Sequence, residues 1–193
     1  NKAIFFHTPK TGGSWIREAV NQGSIFHAEV MFPLYDSHEG STQISYNDIA
    51  HLPPEKLSQL PLFYTFAFIR HPVSWLQSIF KHSKRHGWGS SPVRAETFNE
   101  FAQAYVTNFP KLVSRSMELY TKDCNFIGRQ ENLVNDLIIA LKKADVKFNE
   151  EAIRNVAPVN TSPKSQTVYM SKETRRIIEA SEAEFIDKYY KKN

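Results

Sequence analysis

The stretch AIFFHTPKTGGSW, residues 3–15, joins a short apolar run to a turn that contains two glycines. The uninterrupted apolar run AIFF predicts a buried β-strand. Residues 14–22 then predict a helix, and Gly23 stands where a left-handed residue commonly ends one. A strand that leads through a glycine turn into a helix often binds a phosphate group, because the glycines let the backbone approach the anion and the first N–H groups of the helix point at it.

Strands and helices alternate along the rest of the chain. FYTFAFI, residues 63–69, is typical of a strand buried on both faces of a parallel sheet. Pro72 then opens a helix that runs toward Gly87, because proline suits the first helical turn. CNFIG, residues 124–128, predicts another strand, followed by a helix over 131–144. This alternation predicts an α/β fold.

Start signals mark two further helices. Thr97 and Glu100 form a capping-box pattern for a helix through about Phe109. Ser171 caps a long helix whose apolar residues recur at helical spacing, namely Ile177, Ile178, Phe185, Ile186 and Tyr189. We therefore expect three layers, with a central parallel sheet flanked by helices. We expect residues 1–193 to form a single domain, with a helical insertion or cover over about 87–123.

Composition limits the class of protein. A hydrophobic content of 41% and an aromatic content of 13% indicate a folded globular chain. The net charge of +4 is small and acidic residues occur throughout, which favours an anionic ligand over nucleic acid. Cys124 is the single cysteine, so no internal disulfide can form, and no apolar run predicts a membrane span. We expect a cytoplasmic monomer or homodimer, and a luminal domain cut from a membrane anchor is the alternative.

The position of Lys10 distinguishes this loop from an ATP-binding P-loop. The P-loop pattern GxxxxGK[ST] places its lysine after the glycines and offers a hydroxyl to Mg²⁺. Here Trp15 follows Ser14, and no lysine follows the glycine pair. Lys10 would reach an anion from the strand side, and the Ser14 hydroxyl from the helix side. A glycine turn with an exposed lysine and no ligand is the alternative interpretation.

Two segments carry a resemblance to a known family. HTPKTGGSWI resembles the 5′-phosphosulfate loop of sulfotransferases that use 3′-phosphoadenylyl sulfate (PAPS), in which a Pro-Lys-Ser/Thr-Gly-Thr/Gly-Thr/Ser-Trp pattern recurs. FAFIRHPVSWLQS resembles the 3′-phosphate segment of that family, and Arg70, Pro72 and Ser78 match its spacing. The resemblance implies a P-loop-like sulfotransferase fold and transfer of the sulfuryl group of PAPS to a hydroxyl or amine. The product 3′,5′-ADP (PAP) is released, and no metal is required.

The resemblance also implies roles for individual residues. The 5′-phosphosulfate would be held by Thr11, Gly12, Gly13, Ser14 and Trp15. Lys10 would stabilise the leaving phosphate as a catalytic residue, while Arg70 and Ser78 would bind the 3′-phosphate, arginine through a bidentate contact.

The general base is expected in the segment AHLPPEKL, residues 50–57, which resembles a His-Leu-Pro segment of the cytosolic members. This resemblance makes His51 the candidate base, since the ordinary pKa of histidine suits the task. Some members use a glutamate placed earlier in the chain, which makes Glu29 the runner-up, followed by His27 and His38. A histidine that merely ends a strand is the alternative role for His51.

The last third of the chain carries weaker matches. FIGRQENL resembles the strand-ending Tyr-Glu-Asp-Leu stretch of the family, with Gln130 in place of a tyrosine that helps hold adenine. Trp15 is the candidate for stacking on adenine. NVAPVNTSPK resembles the basic loop of the carbohydrate-sulfating branch and adds Asn160, Ser162 and Lys164 as nucleotide contacts. A polar connection before the last helix is the alternative.

Two other functions stay open, namely a P-loop-type nucleotide kinase, which would require Mg²⁺, and a non-catalytic module that binds polyanions. His82 and His86 have a spacing that zinc ligands can have, but no third ligand is evident, so we interpret this region as a solvated basic surface. Its cations Lys81, Lys84 and Arg85 would attract an acidic acceptor. We expect a small-molecule or carbohydrate acceptor and no contact with nucleic acid or membrane.

Overall fold

The strand predicted at residues 3–6 lies inside a parallel sheet. The structure is a computed structural model that describes residues 3–25, 30–31, 63–88, 91–159 and 168–191. Its strands are β1 (Ala3–Phe6), β2 (Val30–Met31), β3 (Tyr64–Ile69) and β4 (Phe126–Arg129). They lie in the order β2-β1-β3-β4, and each neighbouring pair is parallel. The predicted α/β class with a parallel sheet is confirmed.

The register of the sheet brings three chain segments to one edge. Phe6 of β1 lies opposite Ala67 of β3, and Ile69 of β3 lies opposite Arg129 of β4. All four residues of β1 and the last four of β3 are buried, as expected for strands covered on both faces. The chain therefore leaves β1, β3 and β4 at the carboxyl edge, where open α/β sheets bind their ligands.

The described helices are α1 (Gly13–Gln22), α2 (Pro72–Arg85), α3 (Phe98–Asn108), α4 (Leu112–Thr121), α5 (Leu133–Lys143), α6 (Glu150–Arg154), α7 (Lys172–Ser181) and α8 (Ala183–Tyr189). α3 and α4 lie within residues 87–123, and that this stretch forms an insertion or cover stays a prediction. Within the described ranges, every helix is too short or too polar to cross a membrane.

The chain is divided into two compact units. The first comprises Asn1–Ile69 and Met117–Thr161, and the second comprises Arg70–Ser116 and Ser162–Asn193. The sheet, α1, α5 and α6 belong to the first unit, whereas α2, α3, α7 and α8 belong to the second. That the whole chain forms one three-layer domain stays a prediction.

One core joins the sheet to the helices of the first unit. Phe5 stacks on Phe66 with ring centroids 5.4 Å apart, and Phe68 meets Phe66 edge-on at 6.3 Å. Burial of each such side chain contributes about 1.5–3 kcal/mol. The helices supply further apolar residues of this core, namely Trp15, Ile16, Ala19, Val20, Leu137, Ile138, Ala140, Leu141 and Ile153. This packing fixes α1 against the strand that precedes it.

The end of α1 differs from the prediction of a left-handed Gly23. Gly23 has a φ of −69°, and the left-handed residue is Ser24, with a φ of 57°. A Cβ atom at position 23 would lie 2.9 Å from both the Ala19 carbonyl oxygen and Ile153 Cγ1. Glycine is therefore favoured here by the close approach of the Ala19 carbonyl and of Ile153 in α6, and not by the backbone conformation.

The prediction of one long helix after Ser171 is wrong in one respect. The structure has two helices there, α7 and α8, which are separated at Glu182. The Ser171 hydroxyl accepts a hydrogen bond from the Thr174 N–H, as predicted for a cap. Glu182 is only 4% exposed, and its carboxylate accepts hydrogen bonds from the N–H groups of Val113 (3.2 Å) and Ser114 (3.0 Å) in the first turn of α4. This carboxylate satisfies donors that have no acceptor within α4.

The other capping prediction is confirmed at α3. The Thr97 hydroxyl accepts from the Glu100 N–H at 3.3 Å, while the Thr97 N–H donates to the Glu100 carboxylate at 3.1 Å. Both halves of the capping box are therefore present.

The role of Glu182 gives a first prediction. Glu182→Gln replaces one acceptor oxygen with an amide that cannot accept, so it should lower the free energy of unfolding by about 1–3 kcal/mol. Urea unfolding followed by circular dichroism measures this change. Glu118→Gln, at an exposed position of α4, is the matched control and should change stability by less than about 0.5 kcal/mol. Equal stability of the two variants would contradict the capping role.

Candidate functional site

The segment between β1 and α1 forms a tight turn with an unusual backbone. Lys10 and Gly12 both have positive φ, at 64° and 97°. Thr11 is fully buried, and its hydroxyl donates to the Thr8 carbonyl at 2.7 Å. The Thr8 N–H in turn donates to the Phe6 carbonyl at 3.1 Å. These bonds reverse the chain directly from the end of the strand into the helix.

The N-terminus of α1 presents backbone donors without a side-chain cap. Gly12 is the N-cap residue and has no side chain to accept from the first turn, which also contains no acidic residue. The Ile16 N–H makes the first helical bond, to the Gly12 carbonyl at 3.1 Å. The three N–H groups before it point beyond the helix end, at the positive end of the helix dipole. This arrangement suits an anion.

His7 and Thr8 belong to this turn although neither is among the residues predicted from sequence. A Cβ atom on Gly13 would lie 2.2 Å from Cδ2 and Nε2 of His7, so the imidazole occupies the space beside the glycine. Thr8 is 1% exposed, and its hydroxyl has no hydrogen-bond partner within the described part of the chain. Their position directly after a buried strand is the sequence signal that could have identified them.

The structure brings Gln130 to the same turn. Gln130 begins a short 3₁₀ turn after β4, and its Cγ lies 3.7 Å from the position that a Cβ atom on Gly12 would occupy. The buried Asp136 fixes this turn, since its carboxylate accepts from the Arg129 N–H at 2.7 Å and from the Asn132 side-chain amide at 2.6 Å. Gln130 is therefore a neighbour of the glycine loop, while its contact with adenine stays a prediction.

The remaining residues of the loop differ in exposure. Ser14 is exposed and Lys10 is half-buried. Trp15 is 7% exposed, lies in the core of the first unit, and donates from Nε1 to the Val156 carbonyl at 3.3 Å. Its predicted stacking on adenine remains a prediction.

In the second unit, Arg70 and Ser78 belong to the segment that starts α2. The Arg70 Nε donates to the Ser74 hydroxyl at 3.3 Å, and that hydroxyl donates to the His71 carbonyl at 3.0 Å. Ser74 and Ser78 are four residues apart, so they share one face of α2. Ser74 therefore orients the Arg70 guanidinium. Ser74 is not among the site residues predicted from the sequence, although it lies four residues from both Arg70 and Ser78.

Several predicted residues lie outside the described residues, so their roles stay predictions. They are the candidate bases His51, Glu29, His27 and His38 and the nucleotide contacts Asn160, Ser162 and Lys164.

Neither Cys124 nor the pair formed by His82 in α2 and His86 after it has the features of a reactive centre within the described residues. Burial raises the pKa of the Cys124 thiol to about 12, with a further increase from the negative charge of Asp123. The thiol is therefore protonated near neutral pH, and the side chain packs against an apolar cluster. The rings of His82 and His86 lie 4.5 Å apart. No group of three or more potential metal ligands occurs in the described ranges.

Comparisons with models of protein families, with curated proteins and with solved structures found no match.

A second prediction compares alanine substitutions at two glycines of positive φ, Gly12 in the turn and Gly87 after α2. Alanine at Gly12 or Gly87 should each lower the free energy of unfolding by about 1–2 kcal/mol, because a side chain disfavours this conformation. A Cβ atom at position 12 would also lie 2.7 Å from Leu133 Cδ2, whereas nothing lies within 4 Å at position 87. Gly12→Ala should therefore cost about 1 kcal/mol more than Gly87→Ala in urea unfolding. Equal losses would show that the loop does not pack tightly on Leu133.

Proposed function

We propose that this chain is a PAPS-dependent sulfotransferase with a three-layer, P-loop-like sulfotransferase fold. It would move the sulfuryl group of PAPS to a hydroxyl or amine of a small-molecule or carbohydrate acceptor and release PAP. The observation that carries the proposal is the uncapped N-terminus of α1, which presents backbone donors at the carboxyl edge of the sheet beside Lys10.

The residues of the loop suit a phosphosulfate. The N–H groups at the start of α1 and the exposed Ser14 hydroxyl would hold the 5′-phosphosulfate, and glycine at positions 12 and 13 leaves no Cβ in the way. Lys10 would place its ammonium near the oxygen on which negative charge develops as the sulfuryl group leaves. The buried Thr8 hydroxyl, which has no partner among the described residues, is a further donor available at this turn.

The start of α2 suits the 3′-phosphate that distinguishes PAP from ADP. Arg70 directly follows β3, which is the neighbour of β1 in the sheet. Its Nε donates to the Ser74 hydroxyl, and its terminal nitrogens would make the bidentate phosphate contact that arginine favours. Ser78, one turn further along α2, would add a hydroxyl.

The remaining roles complete the proposal. Gln130, beside Gly12, would contact the adenine edge, and Trp15 would stack on the base. Asn160, Ser162 and Lys164 would close over the nucleotide. His51 would take the proton of the acceptor hydroxyl, with Glu29 as the other candidate base.

A third prediction concerns nucleotide affinity, measured by isothermal titration calorimetry with PAP. Lys10→Ala and Arg70→Ala should each weaken PAP binding by about 1.5–3 kcal/mol, because each removes a charge-assisted contact. Lys147→Ala, at an exposed position after α5, is the control and should bind PAP like the unmodified protein.

ADP provides the second arm of this experiment, since it lacks the 3′-phosphate. Arg70→Ala should bring the affinity for PAP down toward that for ADP and leave the affinity for ADP unchanged. Unchanged PAP binding in both Lys10→Ala and Arg70→Ala would refute the proposal. Tighter binding of ATP with Mg²⁺ than of PAP would instead indicate a nucleotide kinase.

A fourth prediction separates binding from catalysis. His51→Ala should retain PAP binding and lose turnover of labelled PAPS by about 10²–10⁴-fold, the usual contribution of a general base. The reciprocal control is Glu29→Gln, which should retain turnover. If turnover survives in His51→Ala and is lost in Glu29→Gln, the base is Glu29.

A further inference from the structure

The second unit contains a cleft that the proposed nucleotide site does not use. Its volume is about 550 Å³, within the range of about 300–1,000 Å³ that is typical of small-molecule sites. The walls come from the second half of α2, the start of α3 and the residues before α7. The lining residues that matter below are Phe80, Lys81, Lys84, Phe98 and Tyr169.

Aromatic side chains form the apolar part of this cleft. Phe80 and Phe98 are buried, and their rings meet edge-on with centroids 5.8 Å apart. Tyr169, by contrast, is 77% exposed. An exposed tyrosine beside an apolar cleft gives a flat surface on which the ring of a ligand can pack.

Positive charge is concentrated on the α2 side of the cleft. Lys81, Lys84 and Arg85 line it together with one carboxylate, that of Glu96. The Lys84 ammonium donates to the Glu96 backbone carbonyl at 3.0 Å and lies 5.6 Å from the centroid of the Phe80 ring. Within the described residues, neither Lys81 nor Lys84 forms an ion pair.

The preference of cations for helix C-termini explains only part of this pattern. Lys84 and Arg85 lie in the last turn of α2, where the helix dipole stabilises positive charge. Lys81 lies earlier in the helix, is half-buried, and lines the cleft. A half-buried ammonium without a described carboxylate partner, next to an apolar wall, is a favourable site for an anion brought by a ligand.

We propose that this cleft binds a ring-bearing organic anion. Its carboxylate, sulfate or phosphate group would lie against Lys81 and Lys84, and its ring would pack on Tyr169. The proposal does not depend on the sulfotransferase activity, because none of these side chains is assigned to PAPS.

The test compares two glycosides that differ in a single group. 4-Nitrophenyl β-glucuronide carries a carboxylate where 4-nitrophenyl β-glucoside carries a neutral hydroxymethyl group. Calorimetry with the whole chain should show that the glucuronide binds at least about tenfold more tightly than the glucoside. 4-Nitrophenyl sulfate serves as a second anion, and added salt should weaken the binding of both anions.

Variants assign the binding to the cleft. Lys81→Gln should weaken glucuronide binding by about tenfold or more. Tyr169→Ala should weaken it by about threefold, whereas Tyr169→Phe should retain it, because phenylalanine keeps the ring. Lys172→Gln, at an exposed position that does not line the cleft, is the control and should bind normally. Circular dichroism verifies that each variant is folded.

Several results would overturn the proposal. These are no binding of either anion, equal affinity for glucuronide and glucoside, or normal glucuronide binding by folded Lys81→Gln. Displacement of the glucuronide by PAP would also overturn it, since the cleft would then belong to the nucleotide site. The two proposals can fail separately. If the unmodified protein does not bind PAP, and both it and Arg70→Ala bind the glucuronide, the sulfotransferase proposal is refuted and the cleft proposal is supported.

Discussion

The pairing of β1 with β3 is the constraint on which the position of the glycine turn depends. All four residues of β1 and the last four of β3 are buried, and the ring of Phe5 in β1 stacks on the ring of Phe66 in β3. A slip of one residue would turn these side chains to the opposite face, so the register is strongly specified. The turn at His7–Gly13 therefore begins at a fixed level of the sheet, and the apolar contacts of α1 hold its other end.

The turn places a non-glycine residue with a left-handed backbone beside the open donors of α1. Gly12 tolerates its left-handed backbone, but Lys10 adopts a positive φ with a full side chain, which is uncommon for a residue outside the Asn, Asp and Gly group. Strain of this kind persists only when the surroundings impose it, and it is common where proteins bind ligands. Here the Thr11–Thr8 hydrogen bond and the burial of Thr11 are the surroundings that impose it.

The parts of this fold that sequence predicts are those fixed by local pattern. Uninterrupted apolar runs predicted β1 and β3, and the Thr97 capping box predicted the start of α3. The parts that it missed depend on contacts between distant segments, such as the His7 ring beside Gly13 or the Ile153 side chain against Gly23. The break at Glu182 is of the same kind, because α7 and α8 are continuous in their helical pattern. The periodicity of apolar residues along one segment does not show which distant segment will pack against it.

The carboxylate of Glu182 also has a consequence for the order in which the chain acquires structure. It joins α4 to a residue 68 or 69 positions later in the chain. During synthesis, the first turn of α4 must therefore wait for the C-terminal helices to leave the ribosome before this buried contact can form. Each unit is assembled from two segments that the other unit interrupts, so each must close a long stretch of chain before its parts can meet, at a cost in chain entropy. Synthesis of the first unit is complete at Thr161, so its sheet can pack while residues 162–193 of the second unit are still to be made.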